Sequence, residues 1–256
     1  MRDARLRGSS LDNDVVIIAG ATGRVGAATV GTVVTQGARV VVLSRSHESA
    51  QRLIDAQVDA ALRDRAIAQR ADLSDAASAQ AAVDAVLARF GRVDAVVSLA
   101  GGGTSFVPLA ASTAAGLETA FRNNLLVAYN ITVPVLRAML RQPFKDGARS
   151  RGRLVVVTAG SSRTPQPRFG LMGMGKAGVN VLMLAIAREH KADGIVANAV
   201  VLGTVATEPA RDYLDDAEFA AAATPQEVAD VLAFHASDAS SGVNGSLIEL
   251  NAREID

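Results

Sequence analysis

The stretch Val15-Val-Ile-Ile-Ala-Gly20-Ala-Thr-Gly23-Arg-Val-Gly26 decides the fold class of this 256-residue chain. Its first five residues are a continuous β-branched and apolar run, the pattern of a strand covered on both faces. Three glycines follow at once, and an apolar segment of helical spacing begins inside them. Glycine at these places permits a tight turn, close backbone approach to a pyrophosphate, and close packing of helix on strand. The start of the following helix then presents free N–H groups and partial positive charge to phosphates. Gly20, Thr22, Gly23, Arg24, Val25 and Gly26 are therefore candidate dinucleotide contacts.

The same alternation continues down the chain. Arg39–Leu43, Ala66–Ala71, Val93–Leu99, Arg153–Thr158, Ile195–Val201 and Ser246–Leu250 read as further strands. Helices are expected near 25–36, 47–63, 75–90, 113–141, 170–192 and 225–236. Strand–helix alternation of this kind predicts right-handed crossovers and a doubly wound, mostly parallel α/β sheet with helices on both faces. No repeat or linker interrupts it, so one domain is expected over 14–256. The polar segment 1–13 reads as a disordered leader. Residues 142–152 read as a surface loop. The irregular segment 203–224 follows the sixth strand and is either a substrate lid or a peripheral helix pair.

Composition narrows the chemistry. Lys plus Arg (26) balance Asp plus Glu (26), so no strong field favours nucleic acid or an anionic membrane, and a small-molecule role is expected. There is no cysteine, which removes disulfides, thiolate catalysis and cysteine-held metals and suits a reducing cytoplasm. His47, His190 and His235 lack metal-ligand spacing, so no metal site is expected. No apolar stretch of membrane-spanning length is free of a glycine, charge or polar interruption.

The second strand ends in Leu43-Ser44-Arg45. An acidic side chain at this place would bind the adenosine ribose hydroxyls, whereas an arginine suits a 2′-phosphate. With Arg24 offering a second guanidinium, the pair favours NADP(H) over NAD(H), unless both are simply solvated surface residues. Asp72, just past the third strand, either meets the adenine edge or caps the next helix.

These residues stand in the order and spacing of a known family. The glycine-rich turn, Asp72-Leu73, Phe90-Gly-Arg-Val-Asp94, Ala100-Gly101, Asn124, Lys176-Ala-Gly178, Asn198-Ala-Val and Gly203 with Thr207 together resemble the short-chain dehydrogenases/reductases from about residue 14 to 250. The resemblance implies a Rossmann-type sheet of seven strands and a nicotinamide dinucleotide. It places Gly20, Thr22, Gly23, Arg24, Val25, Gly26, Ser44, Arg45, Asp72, Leu73, Ala100, Gly101, Lys176, Gly203, Val205 and Thr207 around the cofactor. It also implies a homo-oligomer, dimer or tetramer, built through the long helices at 113–141 and 170–192. Three departures stand out: Arg24 replaces a glycine, Ser98-Leu-Ala-Gly101 replaces Asn-Asn-Ala-Gly, and Leu202 replaces a proline before Gly203.

In the family a tyrosine four residues before the lysine protonates the substrate carbonyl, and a serine at the end of the fifth strand hydrogen-bonds it. The i, i+4 spacing puts tyrosine and lysine on one helix face. Lys176 and Asn124 match, but Met172 stands where the tyrosine is expected and Ala159 where the serine is expected. A thioether has no proton to give, and alanine has no hydroxyl. Losing a placed general acid costs about 10²–10⁴ in rate. Ser161 or Ser162 would restore a hydroxyl after a small shift in alignment. Tyr129 reads as core or interface, and Tyr213 lies in the expected lid. Gly170, Gly173, Gly175 and Gly178 either loosen the helix near Met172 or admit a close backbone approach. Three functions follow: an atypical NADP(H)-dependent oxidoreductase on a small carbonyl or related compound, a noncatalytic NADP(H)-binding scaffold, or a nonredox lyase or isomerase.

Overall fold

The computed structural model describes residues 11–212 and 214–251. Seven strands, β1 (Val15–Ala19), β2 (Arg39–Ser44), β3 (Ala66–Arg70), β4 (Ala95–Ser98), β5 (Gly152–Ala159), β6 (Ile195–Leu202) and β7 (Leu247–Leu250), form one sheet ordered β3-β2-β1-β4-β5-β6-β7. Every adjacent pair is parallel. The order reverses between β1 and β4, so the chain leaves the sheet in opposite directions there and opens a crevice at the carboxyl ends.

Burial on both faces explains the unbroken apolar runs. In β1, Val15, Ile17 and Ala19 face α3 (Ala76–Phe90), α5 (Val127–Arg141) and α6 (Gly170–Glu189). Val16 and Ile18 face α1 (Arg24–Thr35), α2 (His47–Gln57) and α8 (Pro225–Ala236). All five are buried, which an alternating strand would not need.

Local signals set the helix limits. Ser46 caps α2 through Ser49 N–H, Asp75 caps α3 through Ala77 N–H, and Gly91 ends α3 in the left-handed region at φ 74°. Thr224 and Glu227 form a reciprocal box at the start of α8, with Pro225 in its first turn. The helix expected over 47–63 stops at Gln57 and gives way to a 3₁₀ segment, Ala60–Arg65. The helix expected over 113–141 is two, α4 (Ala114–Phe121) and α5, joined by a π turn over Arg122–Leu126. By length and hydropathy α6 is long and apolar enough to cross a membrane, but half of it is buried in the protein, against β5 and β6 among other elements.

The expected leader is corrected at its inner end. Leu11 is fully buried in the core, its N–H donates to Gln36 O at 3.1 Å, and Asn13 N–H donates to Gly37 O at 3.0 Å. Residues 11–13 thus belong to the fold, because the apolar side chain at 11 fills a place beneath α1. Residues 1–10 lie outside the described residues.

The amino ends of the central strands are tied by buried charge. Arg153 at the start of β5 donates through Nη2 to Asp14 Oδ2 at 2.6 Å and lies 3.5 Å from Asp238. Lys145 Nζ meets the other Asp14 oxygen at 2.5 Å. Asp94 accepts the N–H of Val15 at 2.8 Å and is held by Arg92, also at 2.8 Å. The side chain of Arg153 is 4% exposed, so removing its partner strands a charge away from water. Asp14→Ala is expected to lower unfolding stability in urea by about 3–5 kcal/mol, whereas the paired Asp14→Leu/Arg153→Met change recovers most of that loss.

Candidate active site

The glycine turn is shaped by what it touches. A Cβ on Gly20 would sit 2.5 Å from the backbone nitrogen of Ala100, and φ is +75° there. One on Gly26 would lie 2.4 Å from the Cα of Ala21. Both positions therefore demand glycine for packing of β1, α1 and the β4 end. Gly23 is different: a Cβ there would meet nothing within 4 Å. Gly23 is the N-cap of α1, with no side-chain cap and no acidic residue in the first turn. The fold leaves this corner open to an incoming group, beside unpaired helix N–H groups.

A cleft of about 650 Å³ runs from this turn across the carboxyl ends of β1, β2 and β4. Gly20, Thr22, Gly23, Ser44, Arg45, Asp72, Leu73, Ala100 and Gly101 all line it. Arg24, Val25 and Gly26 do not: Arg24 is exposed, Val25 is half-buried against the core, and Gly26 is buried beneath the turn. Gly203, Val205 and Thr207 lie past the end of β6, also outside the cleft lining.

Arg45 is exposed at the β2 end of the cleft. Asp72 accepts from the Ser74 hydroxyl at 2.7 Å and the Ser74 N–H at 2.9 Å. Those bonds, with smaller help from Arg45 and Arg70, hold its carboxyl below the usual range. Asp75, rather than Asp72, caps α3, so the carboxylate of Asp72 remains at the cleft wall.

At the other end a triple glycine, Gly101 to Gly103, has φ of +151°, +121° and +64°. Two consecutive asparagines of the π turn hold it. Asn124 Oδ1 accepts from Gly102 N–H at 3.0 Å, and Asn123 Nδ2 donates to Gly103 O at 2.8 Å. Asn124 is fully buried, its Nδ2 donating to Ala120 O. Lys176, 7% exposed, donates from Nζ to Val157 O at 3.0 Å. Burial alone pulls its ammonium down to about 8. A Cβ on Gly101 would lie 2.7 Å from Lys176 Nζ and 3.0 Å from Asn124 Oδ1. The two polar side chains thus converge directly behind a residue of the cleft wall.

Ala159 ends β5 and Met172 lies in the first turn of α6, both half-buried and neither able to donate a proton. Ser162 Oγ accepts from Asn180 Nδ2 at 2.8 Å, which commits it to packing the loop on α6. Ser161 Oγ is buried without a hydrogen-bond partner. Tyr129 is 45% exposed, not core. Tyr213 lies outside the described residues.

The glycines of α6 have a packing cause, and the helix is unbroken. A Cβ on Gly173 would strike Ser161 O at 2.5 Å, and one on Gly175 would meet Ala120 O at 2.8 Å. They let the loop after β5 and the helix α4 press onto α6, fixing where Lys176 emerges. The segment after β6 holds one 3₁₀ turn, Glu208–Asp212, and one short helix, α7 (Asp216–Ala221). Its base is tied back by Ala206 N–H donating to Ala223 O. Sequence reasoning missed Arg122 and Asn123 in the cleft wall. The signal was their adjacency to Asn124, in the π turn.

Comparison with known proteins agrees with this geometry. The family profile for short chain dehydrogenases matches residues 14–218. The chain is 28% identical to a 2,3-dihydroxy-2,3-dihydro-p-cumate dehydrogenase of Pseudomonas putida, covering 94% of each. It is 30% identical to a cis-4-hydroxycyclohexanecarboxylate dehydrogenase of Sinomonas cyclohexanicum, covering 95% of this chain and 97% of that one. A short-chain type dehydrogenase/reductase from Mycobacterium ulcerans shares the fold at TM-score 0.83 and 23% identity, over 96% and 93% of the two chains. With the sheet order, the crevice and the paired Asn124 and Lys176 behind its wall, these likenesses place the chain in the short-chain dehydrogenase/reductase family of oxidoreductases.

Proposed function

We propose that the chain is an atypical NADP(H)-dependent oxidoreductase acting on a small carbonyl or related compound. The observation that carries this reading is the cleft itself. Its glycine turn is open at Gly23, Arg45 stands at one end, and Lys176 and Asn124 converge at the other. A dinucleotide would lay its pyrophosphate against the turn at Gly23 and the start of α1. Its adenosine end would meet Asp72, Ser44 and Arg45, and its nicotinamide end Gly101, Lys176 and the segment from Gly203 to Thr207. When bound, the nicotinamide supplies hydride chemistry. The protein's part is to orient it, exclude water and manage the proton.

An arginine at the end of β2 favours a 2′-phosphate over a bare ribose, since the guanidinium is a planar, permanently charged donor. Arg122 adds a second cation to the cleft wall. In this reading residues 203–224 close over the substrate as a lid. The exposed apolar side chains of Leu126, Tyr129 and Val181 on α5, α6 and the π turn between α4 and α5 favour a homo-oligomer. We place the protein in the cytoplasm, without nucleic-acid, membrane or metal partners. Ala159 and Met172 favour the second reading, a binding protein without turnover, and one experiment separates the two.

In a fluorescence titration, NADPH is expected to bind at least tenfold tighter than NADH. Arg45→Ala should erase most of that difference, a loss of about 1.5–3 kcal/mol for a charge-assisted contact, and leave NADH binding nearly unchanged. Equal affinity for both nucleotides in the native chain would refute the NADP(H) assignment.

In a panel of aldehydes, ketones and activated diketones, the native chain should oxidise NADPH slowly but above the blank. Ala159→Ser/Met172→Tyr should raise kcat by about 10²-fold or more, because it supplies the missing hydroxyls. Tight NADPH binding with no turnover in the native chain and a gain in the double variant would instead identify the binding protein.

A further inference from the structure

The oxidoreductase reading leaves a proton unaccounted for, and the structure contains a source. Among the described residues, five buried side chains titrate or carry charge: Asp14, Asp94, Arg153, His235 and Lys176. The first three sit at or just before the amino ends of β1, β4 and β5, in the ion network there. His235 lies in the last turn of α8, next to the Ser237–Asp238 segment that joins the same network. Lys176 alone lies at the carboxyl end, where the cleft is.

The surroundings of Lys176 leave it free to donate. Its ammonium has three N–H bonds, and among the described residues its one hydrogen-bond acceptor is Val157 O. Asn124 faces the same patch of wall, but its Oδ1 already takes Gly102 N–H and its Nδ2 is spent on Ala120 O. Gly101, a residue of the cleft wall, lies against the ammonium so closely that a Cβ there would sit 2.7 Å from Nζ.

The elements packed around it carry Glu118 on α4, Arg122 on the π turn, Arg137 and Arg141 on α5, Arg153 on β5, and Arg188 and Glu189 on α6 itself, and none of them shifts the ammonium. β5 offers the Val157 carbonyl and Ala159, and the loop after β4 offers glycines. The π turn offers Asn123, Asn124 and the cleft-wall Arg122, and α6 offers Met172. The segment after β6 carries Glu208, Arg211 and Asp212, all exposed. Burial is the sole cause of the lowered lysine value, with no charged neighbour contributing.

We propose that Lys176 is itself the general acid of this site, giving a proton from Nζ to the oxygen of a carbonyl substrate as negative charge develops there. The N–H bond breaks and leaves its electron pair on nitrogen, and an O–H bond forms. The hydride that reduces the carbonyl carbon comes from a reduced nicotinamide dinucleotide, and solvent water returns the proton to the amine. The assignment rests on the oxidoreductase reading. It differs from a purely positioning role, in which any cation at 176 would serve.

The chain has only three lysines, Lys145, Lys176 and Lys191, so reductive ¹³C-methylation gives resolvable signals for each. The Lys176 signal of the nucleotide-free chain is expected to titrate with a midpoint near pH 8. NADPH-dependent reduction of an activated diketone should fall above the same midpoint, since only the protonated amine donates. Lys176→Arg keeps the charge but not a proton it can release. At saturating NADPH it should lose about 10²–10⁴ in kcat together with the pH break. A midpoint at the ordinary lysine value overturns the assignment, as does full turnover in Lys176→Arg, and both leave the oxidoreductase reading intact. If Lys176→Arg does not fold, the titration and pH profile of the native chain decide alone. Tight NADPH binding without any turnover overturns the oxidoreductase reading and this assignment with it.

Discussion

Backbone pressed on backbone at the reversal of the sheet is the constraint on which the rest of this molecule depends. Gly20 lies against Ala100 so closely that no side chain fits between them, and Gly26 does the same against Ala21. These contacts fix the turn after β1 relative to the end of β4, the two strands between which the strand order reverses. Because both glycines are consumed by packing, the space at Gly23 is left as a corner with free helix N–H groups and no protein atom to fill it. The site follows from how tightly its neighbours are packed.

The two ends of the sheet are built on opposite principles. At the amino end, buried charge is paired with opposite charge: Asp14, Lys145, Arg153 and Asp238 form ion pairs, and Asp94 holds the first N–H of β1. That end is a staple, and breaking one member strands the others. At the carboxyl end polar groups are buried with too few partners, Lys176 and the Ser161 hydroxyl among them.

Much of this was legible in the sequence, for physical reasons that can be named. Strands buried on both faces announce themselves as runs rich in Val and Ile, as in β1, β2, β4, β5 and β6, and these are found to within a few residues. The landmarks of the resemblance turn out to be structural joints. Asp94 receives Val15 N–H, Asn198 holds Val243 O and Ser246 N–H at the entrance to β7, and Gly91 ends α3. The glycines of α6 could be counted but not explained, because their reason lies in Ser161 and Ala120, distant in sequence. Likewise the π turn that carries Arg122 and Asn123 into view of the cleft could not be read, because a five-residue change of helical pitch leaves no periodic trace. The burial of Leu11 was hidden by the polar residues around it.

The energetics of Lys176 connect these points. Holding its value near 8 instead of 10.5 amounts to about 3 kcal/mol against the folded state at neutral pH. The sign follows from the direction: the unfolded chain binds the extra proton more readily, so the cost is full below pH 8 and fades as pH rises towards 10.5. That is a large fraction of a typical domain's stability, and an apolar side chain of similar length would avoid it. In a site whose neighbours at 159 and 172 are an alanine and a methionine, there is no phenol for the ammonium to tune. The close approach of Gly101, the buried asparagine beside it and the single carbonyl partner all serve to keep this amine in place and short of bonds. An amine so held is matched to giving a proton near neutral pH, and the same features that make it costly in the folded chain make it the strongest candidate for the work of the missing hydroxyls.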